Sequence, residues 1–287
     1  MYFPVSELVL NDKGQVYHLG LSAENIGEKI IIVGDQDRVE MVSNFFDTIE
    51  HRSQHREFIC HTGYFHEKKI SVISTGIGTD NIDIVMNELD ALVNIDLVSR
   101  KQKQTHTPLE IIRIGTCGIL QPHIPVHSYI LSSYAFGLDN IAHFYNIPFE
   151  SYEKEVCGLI SKHINLSKNI VPYLVSSDHK ILEKLDSDKV FKGITVTSSG
   201  FYGPQGRQLR VKNQHPNLNE ALTSFRNEHH LITNFEMESS ALFALGRAMG
   251  HHTGTICLGV ANRPNMEFSK GYKKEMEELI NYVLTRI

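Results

Sequence analysis

The chain has 287 residues and a formal net charge of −5, with 41% apolar and 21% charged side chains. That balance excludes a disordered or low-complexity protein and leaves no basic excess for a nucleic-acid backbone, although a local arginine cluster could hold a small anion. Four cysteines, at 60, 117, 157 and 257, show neither zinc-site pairing nor secreted-scaffold density, and no apolar run nears the ~18 residues of a membrane span. The expectation is a reduced, cytoplasmic protein with no leader and no anchor.

In chain order, the first buried strand is KIIIVG at 29–34, followed through GDQDR by a helix over 37–48. The turn at Gly34 can present N–H groups to an anion, and Arg38 in the first helical turn opposes the macrodipole unless an anion is bound. The other reading is a solvated arginine with Asp35 or Asp37 as N-cap. KISVIST at 69–75 runs into GIGTDN and a helix over 80–100. Asn81 stands where a dinucleotide fingerprint needs its third glycine, so Gly76 and Gly78 give close backbone approach to a ligand or to a helix. In EIIRIGT at 110–116, Arg113 sits inside an apolar strand and is followed by Thr116 and Gly118. It needs an anionic partner, either a protein carboxylate or a bound oxyanion.

A strand at 128–134 and helices at 151–166 and 178–186 come next, and then GITVTSS at 193–199 opens into FYGPQGR. Phe201, Gln205 and Arg207 there offer an aromatic face, an amide and a guanidinium, which suit a flat heterocycle or a solvated loop equally. NFEMESSALFALGRAMG predicts a helix over 236–249 with a core stripe of Ala241, Leu242, Leu245, Ala248 and Met249, and with Glu236 and Glu238 at its start. Capping explains one of these glutamates more easily than both, and a carboxylate pair could accept hydrogen bonds from adjacent sugar hydroxyls. TICLGVAN at 255–262 is the last strand and 269–286 the last helix. The alternation implies one α/β domain with a largely parallel or mixed sheet and its ligand site at the strand ends. The sixteen histidines show no metal-ligand spacing, and no base flanks Cys117 as it would a nucleophile.

Taken together and in order, VYHLGL, GDQDRVE, HREF, STGIG, RIGTCGILQPHI, FYGPQGR, NFEMES and GVANR resemble the nucleoside phosphorylase family, most closely its bacterial uridine phosphorylases. The resemblance implies a single-domain three-layer α/β/α sandwich with a mixed central sheet over residues 16–287, behind an extension of residues 1–15. It implies phosphate-dependent cleavage of uridine, with deoxyuridine left open, no cofactor, and inorganic phosphate as co-substrate. By the same resemblance Gly34, Arg38, Arg113 and Thr116 hold phosphate, with Arg56 from a neighbouring chain. Met237 and Glu238 hold ribose with His18 of the neighbour, and Gly118, Phe201, Gln205, Arg207, Glu236 and Arg263 surround the base. Arg113, Gln205, Arg207 and Glu238 carry the catalysis, and the expected partners are small molecules and further copies of the chain, which share their active sites, but no nucleic acid or membrane.

Gln36, Gly200 and Asn81 depart from the family pattern, the last beside Glu57 and Ile77, where some relatives bind a monovalent cation; no other metal is implied. The alternatives are a purine nucleoside phosphorylase, an adenine-nucleoside hydrolase, or a non-catalytic nucleoside-binding relative.

Overall fold

Strand β1, Lys29–Val33, shows how the layers arise: four of its five residues are buried, on alternating faces. Ile30 and Ile32 pack with the helices α2 (Thr79–Asn94) and α6 (Ser239–Met249) on one side of the sheet. Ile31 and Val33 pack with α1 (Gln36–Ser43) and α7 (Lys273–Leu284) on the other. A strand buried on both faces requires a helix layer on each. The computed structural model describes residues 1–287, and its architecture is the mixed three-layer α/β/α arrangement expected from the sequence.

Next to β1 run β4 (Lys68–Ser74) and β7 (Glu110–Ile119), both parallel to it. Beyond β4 the hairpin of β2 (Thr48–His55) and β3 (Phe58–Phe65) forms one edge. The short pair β5 (Ile95–Asp96) and β6 (Lys101–Gln102) stands apart. On the other side the sheet curls into a ring. Strand β7 pairs with β12 (His252–Asn262), β12 with β8 (Tyr129–Gly137), β8 with β10 (Val190–Thr197), β10 with β11 (Ile232–Glu236), and β11 again with β7. Strand β9 (Tyr173–Ser176) adds to β8, and β13 (Glu267–Phe268) to β12. The helices α3 (Ser151–Ile164) and α5 (Leu218–Ser224) close a third apolar cluster around Phe136, Val196 and Phe235, and α4 (His179–Leu185) lies with the α7 layer.

All six strands read from the sequence are present, and two of them, β7 and β8, run three residues further than expected. The helices α1 and α2 stop earlier than expected, at Ser43 and Asn94, because the chain turns there into β2 and β5. One expectation needs correction. Glu236 does not start a helix: Ile232–Glu236 is a fully buried strand, and helix α6 begins at Ser239. The first fifteen residues lie against the domain, with Leu8 in the main core and the Phe3 N–H bonded to the Arg100 carbonyl.

Candidate active site

The carboxyl ends of β1, β7, β10, β11 and β12 converge on one cavity of about 900 Å³. Its walls contain Gly34, Arg38, Arg113, Thr116, Gly118, Phe201, Gln205, Arg207, Glu236, Met237 and Glu238, so four separate sequence clusters meet in one place. Convergence at strand ends is where backbone N–H groups and side chains can surround a ligand.

Two guanidiniums form its floor. Arg113, on a strand buried on both faces, pairs through Nη2 with Glu238 Oε2, lies 3.4 Å from Glu236 Oε2 through Nη1, and donates to Cys257 Sγ at 3.3 Å. Burial alone would lower its pKa, but the two carboxylates more than offset it and hold the proton more tightly than usual. Gly115 makes this possible, because a Cβ there would clash with the Arg113 guanidinium that crosses above it. Arg38 is different. It is 6% exposed, yet its side chain has one acceptor within the chain, the Ile114 carbonyl at 3.4 Å. Burial, and then the like charge of Arg113, pull its pKa down, with only partial relief from Asp35. The solvated-arginine reading of this position is therefore overturned. Asp35 is indeed the N-cap of α1, accepting the Asp37 N–H at 3.1 Å.

The two glutamates divide their work. Glu236 accepts the N–H groups of Glu238 at 2.9 Å and Ser239 at 3.0 Å, and the Thr197 hydroxyl donates to it, so its carboxylate anchors the start of α6. Burial pushes its carboxyl above the usual range against the pull of Arg113. Glu238, 3% exposed, faces the cavity and is held by Arg113 and by the backbone N–H groups of Met237 and Gly78.

At the other end of the cavity Gln205 is 3% exposed. Its Oε1 accepts from Arg207 Nη1 at 2.7 Å and from Arg263 Nη2 at 2.9 Å, which leaves the Nε2 amide as a donor. Arg263 stands behind the wall: it also grips the Gln205 carbonyl at 2.9 Å and passes over Gly118, where a Cβ would lie 3.2 Å from its Nε. Burial, and then the charge of Arg207, lower its pKa to about 10. The Arg207 guanidinium sits 3.6 Å over the Phe201 ring, so that aromatic face is covered by a cation.

Arg56 and His18 do not line this chain's cavity. Arg56 lies 5.3 Å over the Tyr17 ring, and His18 Nδ1 is 2.6 Å from Glu88. Glu57, Ile77 and Asn81 do face the cavity. Sequence reasoning missed Phe268 and Tyr272, which close its rim from β13 and the start of α7. No motif marks them, and the only signal is an aromatic placed where a strand or helix meets a loop.

A second group of ligand-type side chains, Asp90, His106 and His251, lies at the opposite ends of the strands with donor atoms within 4.8 Å of one another. The Leu109 N–H donates to His251 Nδ1 at 3.1 Å, so the hydrogen-bond network assigns the ring proton to Nε2, which faces Asp90 at 3.4 Å. His106 Nε2 in turn bonds the Met249 carbonyl at 2.8 Å. No helix is long and apolar enough to cross a membrane.

Residues 28–285 match the family model described as the Phosphorylase superfamily, and the chain belongs to that superfamily. Among its relatives, the uridine phosphorylase of Thermococcus kodakarensis is 28% identical over 281 residues, covering 95% of this chain and 87% of that one. The uridine phosphorylase of Escherichia coli is 27% identical over 262 residues, 89% of each chain. A crystal structure of a Trypanosoma brucei nucleoside phosphorylase, described as showing uridine phosphorylase activity, superposes with a TM-score of 0.89 at 27% identity, covering 98% of this chain and 100% of that one.

Proposed function

We propose that this chain catalyses the reversible, phosphate-dependent cleavage of uridine to uracil and ribose 1-phosphate. The observation that carries the reading is Arg38: a buried guanidinium without a carboxylate partner, beside Arg113 and at the floor of a cavity, calls for a bound anion. The homologues named uridine phosphorylase support the same reading.

Phosphate rests on Gly34, Arg38, Arg113 and Thr116, joined by Arg56 of a second copy. Ribose lies over it against Met237 and Glu238, with His18 of that second copy at the 5′-hydroxyl, and the base meets Phe201, Gln205 and Arg207, with Arg263 orienting Gln205. A phosphate oxygen forms its bond to the anomeric carbon as the bond to the uracil nitrogen breaks, and that electron pair leaves with the base. The phosphate charge stabilises the cation that develops at carbon, while donors from Gln205 and Arg207 stabilise charge on the uracil carbonyl oxygens. The reaction uses inorganic phosphate as co-substrate and no cofactor. Four free thiols suit a reducing compartment, and we place the protein in the cytoplasm as a homo-oligomer.

The test is base release from uridine, deoxyuridine, inosine and adenosine with and without phosphate. Uridine cleavage only with phosphate is expected. Equal release in phosphate-free buffer would make the protein a hydrolase, a preference for inosine or adenosine a purine enzyme, and binding without release a nucleoside-binding protein.

A further inference from the structure

Three donors reach the Glu238 carboxylate from three parts of the chain. Arg113 and the Met237 N–H reach Oε2, and the Gly78 N–H, from a glycine turn 160 residues away in sequence, donates to Oε1 at 2.8 Å. Gly78 has φ 100° and ψ 165°, a region that essentially only glycine enters. Space does not require glycine here, because a Cβ would meet nothing within 4 Å. Neither does helix capping. Gly78 is the N-cap of α2, but an N-cap does not call for positive φ: those of the other six α-helices all have negative φ, from −66° at Asp178 to −147° at Tyr272. What the unusual conformation achieves is direction, turning the N–H toward Glu238.

We infer that Gly78 is a positioning residue, whose backbone N–H fixes the Glu238 carboxylate, and through it the Arg113 guanidinium, in the orientation that receives the sugar. The inference rests on the reading of Glu238 as the ribose-binding carboxylate. An alanine at this position relaxes to ordinary backbone angles and carries the N–H away. The carboxylate then loses one of three restraints, and Arg113, joined to its other oxygen, loses its register with the phosphate.

A double-mutant cycle tests this. Gly78→Ala should lower kcat/KM for uridine by about tenfold or more in the wild-type background and by less than about threefold in a Glu238→Ala background. Equal losses in both backgrounds, or none in the first, would overturn the proposal, since a purely structural role at the start of α2 acts whether or not Glu238 is present. If Gly78→Ala folds poorly, Gly78→glycolate, which exchanges the N–H for an ester oxygen and adds no side chain, makes the same comparison. Hydrogen exchange read by mass spectrometry over residues 76–80 needs no activity. Glu238→Ala should speed exchange there and leave the rest of α2 protected, and unchanged exchange would sink the inference. Should the wild-type protein cleave no nucleoside, the proposed function fails while this exchange measurement still judges the contact.

Discussion

The Arg113 guanidinium reaches Glu238 and Cys257 in its observed pose because it crosses a glycine. Gly115→Ala would put a methyl group where that guanidinium lies, also within 2.9 Å of Cys257 Sγ. The expected outcome is a fall in kcat/KM of about 10²–10³, the loss typical of a displaced preorganised donor, with unchanged circular dichroism. Wild-type kinetics would show that Arg113 keeps its pose by another route. Gln205 supplies a second comparison at the same scale. If its buried amide donates to the base, as proposed, Gln205→Ala leaves a uracil carbonyl unpaired and should cost about 1–3 kcal/mol of transition-state stabilisation, read from kcat/KM for uridine. A variant as fast as the parent would remove this loop from base recognition.

Among the elements, α6 has to be held firmly, since its first residues adjoin Glu236 and Glu238. Its far end is tied to α3 by Arg247, which donates to Glu153 at 2.6 Å and 2.7 Å, while the Ser176 N–H of β9 donates to the same carboxylate at 2.7 Å. Burial raises the Glu153 carboxyl, but these hydrogen bonds outweigh it and hold it below the usual carboxylate range. A depressed folded-state value means stabilisation that is complete above the unfolded value of about 4.3 and lost as pH falls through the lower folded value. Glu153→Ala should therefore cost about 3–5 kcal/mol in urea unfolding at pH 7, because Arg247 is left half-buried without its partner. The gap between Glu153→Gln and the parent should close in acid, and a gap independent of pH would contradict the ion pair.

What the sequence reveals depends on period and punctuation. Strands such as KIIIV stand out as apolar runs, but TIEHRSQH in β2 is an edge strand of mixed exposure and carries no such signal. Strand β11 is hidden for another reason: NFEMES passes from strand to helix with no glycine or proline between them, so nothing in the sequence separates Glu236 from the helical pattern of Ala241 and Leu242. In the site, Arg113, Gln205 and Glu238 were legible because polar groups stand out at the ends of apolar strands. The contacts that orient them, Gly78 to Glu238 and Arg263 to Gln205, join distant segments through backbone groups and a hidden arginine, and no local pattern encodes them.

For the whole molecule, the absence of Arg56 and His18 from the walls of their own cavity sets the expectation. If a second copy supplies them, Arg56→Ala and Arg113→Ala should each be nearly inactive alone. Co-refolded as two-fold dimers, about half the dimers are mixed and each of these has one site free of both lesions, so about a quarter of wild-type site activity should return. No recovery, with mixed dimers verified by mass spectrometry, would place Arg56 within its own chain's site.

The ring of strands closes through β12, which comes late in the chain yet pairs with β7 from His252 to Asn262 and with β8 at Ile256–Leu258. On the ribosome, β7 and β8 therefore emerge more than a hundred residues before the neighbour that joins them. Until residues 252–262 follow, Arg113 lacks Cys257 beside it, and Ile114 and Leu131 lack Ile256 and Leu258. A nascent chain in that state has an open apolar seam beside β7 and no complete site, so the core and the cavity close together, in one late step.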